Sequence, residues 1–134
     1  MADWIVPCNL NYYDVYGAFE KLKTLDWKQT CTKIEVGDFV YIYIGAPISS
    51  IVFKCEVTKV KLTTVEIDDT EFATVGEKYE TAPLHMELKL ITRYPNDLLS
   101  VKKLSEHGLK GRIMCQRKAE DSVSGFIMST TAEL

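Results

Sequence analysis

Val36-Gly37-Asp38-Phe39-Val40-Tyr41-Ile42-Tyr43-Ile44-Gly45-Ala46-Pro47 is the stretch on which the fold turns. Val36-Gly37-Asp38 is a turn signal, and the six residues that follow are all branched or aromatic, at odd and even positions alike. A strand with one face in water alternates apolar and polar side chains. This one does not alternate, so both of its faces are covered and it lies inside a sheet. Gly45-Ala46-Pro47 then breaks it.

Working outward, Ile51, Phe53, Cys55 and Val57 alternate with Lys54, Glu56 and Thr58, which predicts a neighbouring strand with one wet face. Val60 and Leu62 resume the apolar face three residues after Val57 instead of two. That slip predicts a bulge near Thr58-Lys59, of the kind that bends a sheet toward a barrel. An acidic loop is expected over 65–83, tacked down by Ile67 and Phe72, and a strand returns over Met86 to Arg93 with Met86, Leu88 and Leu90 facing one way. Ser100 to His107 reads as a short capped helix stopped by Gly108. Ile113 to Cys115 is expected to be the last strand, followed by a helix over Glu120 to Met128 that Gly125 interrupts.

Upstream, Trp4 to Cys8 is a short strand whose Pro7 suits an edge or strand end, and Asn9 to Asn11 turns the chain. Val15, Ala18, Phe19, Leu22 and Leu25 recur at helical spacing, which predicts a helix from Tyr13 to Leu25 packed on the sheet. The order of elements lacks the βαβ rhythm of a doubly wound sheet. It predicts a mixed α/β (α+β) fold: a small, bent, mostly antiparallel sheet or open β-barrel flanked by helices.

At 134 residues, without repeat or linker, a single domain over 1–134 is expected. The longest apolar stretch, Phe39 to Ala46, is less than half of what a bilayer requires, so no membrane association is expected. The start lacks the pattern of an export signal, and the expected location is cytoplasmic. Cys8, Cys31, Cys55 and Cys115 form no Cys-x-x-Cys pair, and only His85 and His107 are available to join them. Free thiols are expected, with no metal and no cofactor.

A net charge of −3 does not draw the whole molecule to nucleic acid, but the charge is unevenly spread. Lys102, Lys103, Lys110, Arg112, Arg117 and Lys118 crowd one segment, and acids crowd 66–87. Catalytic candidates are few. His107 precedes a helix-stopping glycine and suits a cap, His85 suits a rim, and Asp68 and Asp69 are adjacent, so on extended chain they point apart. No phosphate-cradling loop is present in the sequence. The expectation is a binder, not an enzyme.

Several of these stretches resemble the EVE domain, a PUA-like module related to the YTH domain that reads methylated adenine in RNA. The matching pieces are Trp4 to Asn9, Asp26-Trp27, Val36 to Pro47, the Ile51 to Val57 strand, and Gly108 to Gly111. The resemblance implies a pocket that accepts a base turned out of its stack. Its base-binding residues would be Cys8, Asn9, Trp27, Lys28, Gln29, Tyr43, Gly45, Ala46 and Pro47.

Trp27 would stack on the base, or else plug the core. Asn9 would read the base edge, or else serve the turn, and Tyr41 and Tyr43 are open to a core role. Where many relatives carry a Gly-Pro pair, this chain has Arg112 to Lys118, from which Arg112, Gln116, Arg117 and Lys118 would contact phosphate or a base edge. The implied partner is modified DNA or RNA, with methylcytosine or methyladenine flipped into the pocket. Burying one methyl group contributes about 0.8 kcal/mol, so discrimination would be modest. Two other readings stand beside it: an RNA-acting enzyme like some ASCH relatives, and a protein-interaction subunit using the acidic loop 66–80.

Overall fold

The computed structural model describes residues 1–65, 67–68, 70–73 and 83–132. The central strand forms as expected, as β3 (Phe39–Ile44) in the order β1(Asp3–Cys8), α1(Val15–Lys21), β2(Thr24–Lys28), β3, β4(Ser50–Leu62), β5(His85–Arg93), α2(Val101–Glu106), β6(Arg117–Lys118), α3(Asp121–Thr131). Val40, Ile42 and Ile44 enter the larger of two buried clusters, while Phe39, Tyr41 and Tyr43 join the smaller one. The period of two thus sends alternate side chains to opposite faces, and both faces are covered.

The turn ahead of β3 explains its own residues. Gly37 has φ +93, which only glycine adopts without strain, and Asp38 folds its carboxylate back over the start of β1. That carboxylate accepts from Ala2 N at 2.9 Å, the Trp4 indole at 2.9 Å and Glu35 N at 3.0 Å. Burial works against its charge, but these donors outweigh burial and hold the carboxyl below its ordinary value.

The sheet has six strands in the order β2-β5-β4-β3-β1-β6, antiparallel except where β1 runs parallel to β3. In β1, Ala2 O and Cys8 O accept from the β3 side, whereas Asp3 O accepts from Ala119 beyond β6. Odd-numbered residues therefore face β6. β6 pairs only with Trp4 and Ile5, so the N–H that Pro7 lacks would have pointed past its end.

The expected bulge is present: the β4–β5 register shifts between Val57 and Lys59, and again on either side. The Thr58 hydroxyl donates there to the Glu87 side chain at 2.8 Å. Lys61, at φ +54, gives its N–H to the Gln29 side chain at 2.8 Å instead of to a ladder partner. These irregularities curl the sheet until its outer edges meet. Gln116 directly precedes β6 and bonds Lys28, Thr30 and Cys31 at the end of β2, so one side chain closes the seam of an open barrel.

Helices cover both sides. Val15, Ala18 and Phe19 of α1 enter the larger cluster with Trp4, Leu25, Phe53 and Leu88. Leu104 of α2 and Val123 and Ile127 of α3 enter the smaller one with Ile5, Tyr41 and Ile51. Asp14 caps α1 and Ser100 caps α2. Gly108, at φ +109, stops α2 where an added Cβ would overlap the Ser122 hydroxyl. Phe72 packs on the larger cluster and its carbonyl accepts from Asp14 N, while Ile67 N bonds the buried Asp26 carboxylate. The rest of the acidic loop lies largely outside the described residues.

Three boundaries differ from expectation. The helix expected to reach Leu25 ends at Lys21: Leu22 is extended, and Thr24 to Lys28 pairs with β5 as a strand. Leu25 lies three residues after Leu22 but also two before Trp27, so it fits either period, and pairing with β5 decides. The last strand is Arg117-Lys118, not Ile113 to Cys115, because only the former reaches β1. Gly125 does not interrupt α3, whose two neighbouring turns are pinned by Val123 and Ile127. No helix among the described residues is long and apolar enough to cross a membrane.

Candidate functional site

Because β1 and β3 are parallel, Cys8 and Ile44 finish at the same end of the sheet, and Gly45 N donates to Cys8 O at 3.1 Å. Beyond Cys8 the chain reverses around Asn9. Its carbonyl accepts from Tyr12 N and Tyr13 N, and its side-chain oxygen accepts from Asn11 N at 2.9 Å. Beyond Ile44 the chain leaves through Gly45 and Ala46. Barrel closure brings the end of β2 and the segment ahead of β6 to the same place.

A cleft of about 1030 Å³ opens between these segments. Its walls are Pro7 to Asn9 with Asn11 to Tyr13, Trp27 with Lys28 and Thr30, Tyr43 to Ala46 without Ile44, and Ile113 to Gln116. Aromatic and aliphatic surface predominates, with amides from Asn9, Asn11 and Gln116. Among the described lining residues Lys28 is the one charged side chain. The thiol of Cys8 is pushed up to about 12 by burial and by the Asp14 carboxylate, against the pull of Lys28. It is therefore protonated near neutrality and a poor nucleophile.

No protein-family model matches the sequence, and no curated protein is similar to it. Solved structures are similar in shape. ASCH from Zymomonas mobilis matches with a TM-score of 0.65 at 9% identity, over 96% of this chain and 94% of that one. The fold is ASCH-like. A Pseudomonas syringae protein gives a TM-score of 0.68 at 12% identity, over 96% of this chain and 98% of that one. A hypothetical protein from Leishmania major gives 0.66 at 14%, over 99% and 96%. The expected mixed α/β architecture, a bent and mostly antiparallel sheet flanked by helices, holds. At such identities the likeness is one of fold.

Within this ASCH-like frame, the residues proposed from sequence divide. Cys8, Asn9, Trp27, Lys28, Tyr43, Gly45, Ala46 and Gln116 line the cleft. Gln29, Pro47, Arg112, Arg117 and Lys118 are not among its lining residues. Gln29 is buried and staples its own loop to Cys31 O, Ile34 O and Lys61 N. Arg117 donates to Lys110 O at 2.7 Å and to Glu120 at 3.0 Å, so its guanidinium is committed to tying β6 to the neighbouring loop. Gln116 spends its oxygen and one N–H on the seam. Arg112 and Lys118 are exposed, Lys118 beside Trp4 in the ladder.

Trp27 takes the core role that the sequence left open. It is 6% exposed, belongs to the larger cluster, and meets Tyr13 edge to face at 5.6 Å. It lines the cleft with little of its surface open. Asn9 serves the turn and lines the cleft as well. Tyr41 is core. His85, expected at a rim, is buried, and His107 caps α2 and stacks on Phe126 at 4.0 Å.

Sequence reasoning missed Tyr12, 43% exposed in the cleft, and Met114, 79% exposed there. Tyr12 had a signal in its position just after the Asn9 turn. Met114 had none, because Ile113 to Cys115 read as a strand.

Proposed function

We propose that this chain is a nucleic-acid binding module that holds one nucleobase, modified by a small apolar group such as a methyl, in the cleft at the ends of β1 and β3. It binds without turning the ligand over. The observation that carries this reading is the cleft itself: a space of about 1030 Å³ bordered by an exposed tyrosine residue, three side-chain amides and, among the described residues, a single lysine. A flat heterocycle needs a ring to stack on, and Tyr12 offers one where Trp27 does not. Its edge needs groups that donate and accept, which Asn9, Asn11 and backbone at the strand ends supply. Lys28 suits a flanking phosphate. The ASCH-like, PUA-like fold supports RNA as the polymer, and the protonated Cys8 thiol supports binding over nucleophilic chemistry.

The test is titration of the protein with plain and methylated nucleosides and short single-stranded oligonucleotides, for wild type, Tyr12→Phe and Tyr12→Ala. Binding is expected to survive in the phenylalanine variant and to weaken by about 1–3 kcal/mol in the alanine variant. Equal affinity in Tyr12→Ala removes the stacking assignment. Cleavage of the RNA during incubation would replace the binding module with an enzyme.

A further inference from the structure

We propose that Met114 is the specificity-determining residue of the cleft, the side chain that meets the apolar substituent of a modified base. This rests on the base-binding reading above.

The argument starts from its two neighbours. Ile113 is 8% exposed and belongs to the smaller core cluster, which fixes the main chain on one side of Met114. Two residues later, Gln116 is held by three hydrogen bonds to Lys28, Thr30 and Cys31, at 2.7 to 3.1 Å. Met114 thus sits on a short span anchored at both ends, and its side chain is the part with room to adjust. It lines the cleft while remaining 79% exposed. Apolar surface of that extent gains most when a ligand covers it.

The residue type suits the task. The methionine side chain is unbranched, with three rotatable bonds and a polarisable sulfur, so it adapts to an irregular apolar group and makes favourable contacts with aromatic rings. Other walls of the cleft are less adaptable. Tyr13 and Trp27 are buried and packed against each other, and Tyr43 packs against the smaller core cluster. A methyl group on a base held at Tyr12 would therefore find its adjustable apolar partner in Met114. The amides and Lys28 would serve the polar edge and phosphate common to modified and unmodified ligands.

The experiment compares dissociation constants for 5-methylcytidine against cytidine, and N6-methyladenosine against adenosine, in wild type, Met114→Leu and Met114→Gln. Wild type is expected to prefer at least one methylated member by about fourfold, the equivalent of about 0.8 kcal/mol for one buried methyl group. Met114→Leu is expected to keep that preference, and Met114→Gln to bring the ratio near one, the ratio being read independently of any change in affinity shared by both members of a pair. Circular dichroism and a urea midpoint check that both variants fold, as an exposed position should allow. A wild type that binds no nucleoside or oligonucleotide overturns the base-binding reading itself. A wild type that binds but shows no methyl preference overturns both the modified-base reading and the role of Met114, and a Met114→Gln variant with the preference intact overturns the role of Met114 alone.

Discussion

Gln116 donates its side-chain N–H to the carbonyl oxygen of Lys28 at 2.7 Å, joining the two outer edges of the sheet across 88 residues of chain. The same amide accepts from Thr30 N at 2.9 Å and Cys31 N at 3.1 Å. Gln116→Leu removes all three bonds from a partly wet seam, with an expected loss of about 1–2 kcal/mol by urea denaturation and weaker ligand binding. Gln116→Glu is the sharper test. Its carboxylate still accepts from Thr30 and Cys31 but has no proton for Lys28. The stability deficit relative to wild type should shrink as pH falls through the carboxyl range near roughly 4, where the proton returns. A deficit that is the same at pH 7 and pH 4 would show that the Lys28 bond contributes nothing.

Trp27 belongs to the core, so Trp27→Ala leaves a large cavity beside Tyr13 and the α1 face. The expected cost is about 3–5 kcal/mol, measured as a fall in the urea midpoint. Ligand binding by this variant should fail together with its fold. An unchanged midpoint would mean that the ring does not pack as described.

Asp38 holds three donors, and its carboxyl is depressed from the ordinary 3.8. A lowered folded value contributes stability that is complete above the unfolded pKa and is lost as pH falls through the folded one. Asp38→Asn keeps one acceptor oxygen for three donors, so it should cost about 1–3 kcal/mol at pH 7. Urea midpoints at pH 7, 5 and 3 should show the gap between variant and wild type steady down to pH 5 and narrower at pH 3. A gap that widens with acid would contradict the assignment.

Lys28 and Arg117 are both basic but differently placed: Lys28 lines the cleft, and Arg117 is bonded to Lys110 and Glu120. Lys28→Ala should reduce by about one the slope of log affinity against log salt for an oligonucleotide. Arg117→Ala should leave that slope unchanged and instead lower stability, because Glu120 loses its ion-pair partner and is left with the Lys110 N–H. The reverse result would place the phosphate on the β6 side.

Much of the architecture was legible because it rests on local chemistry. The unbroken run at Phe39 to Ile44, the glycine turn before it, the slipped phase after Val57 and the Ser100 and Gly108 helix signals each have one dominant local solution. Leu22 to Trp27 was not legible, since its apolar residues fit a period of two as well as one of three or four. The cleft was half legible. Cys8, Asn9, Tyr43 and Ala46 were implied by the resemblance, and they lie at the ends of strands that the residue pattern itself places. Tyr12 follows the Asn9 turn directly, whereas Thr30 and Met114 arrive there only because Gln116 joins the outer edges of the sheet.

The sequence alone determined that there would be a curved, mostly antiparallel sheet with a doubly covered central strand, because side-chain period, turn residues and a bulge are properties of neighbours in the chain. Only the tertiary structure decided which aromatic residue is well exposed at the cleft and which lines it from within the core. Trp27 and Tyr12 are both plausible platforms as residues, and their exposure depends on where an edge strand, a turn and a glutamine 85 or more residues away come to rest. Burial is a property of the assembled surface and cannot be read from a residue's own neighbours.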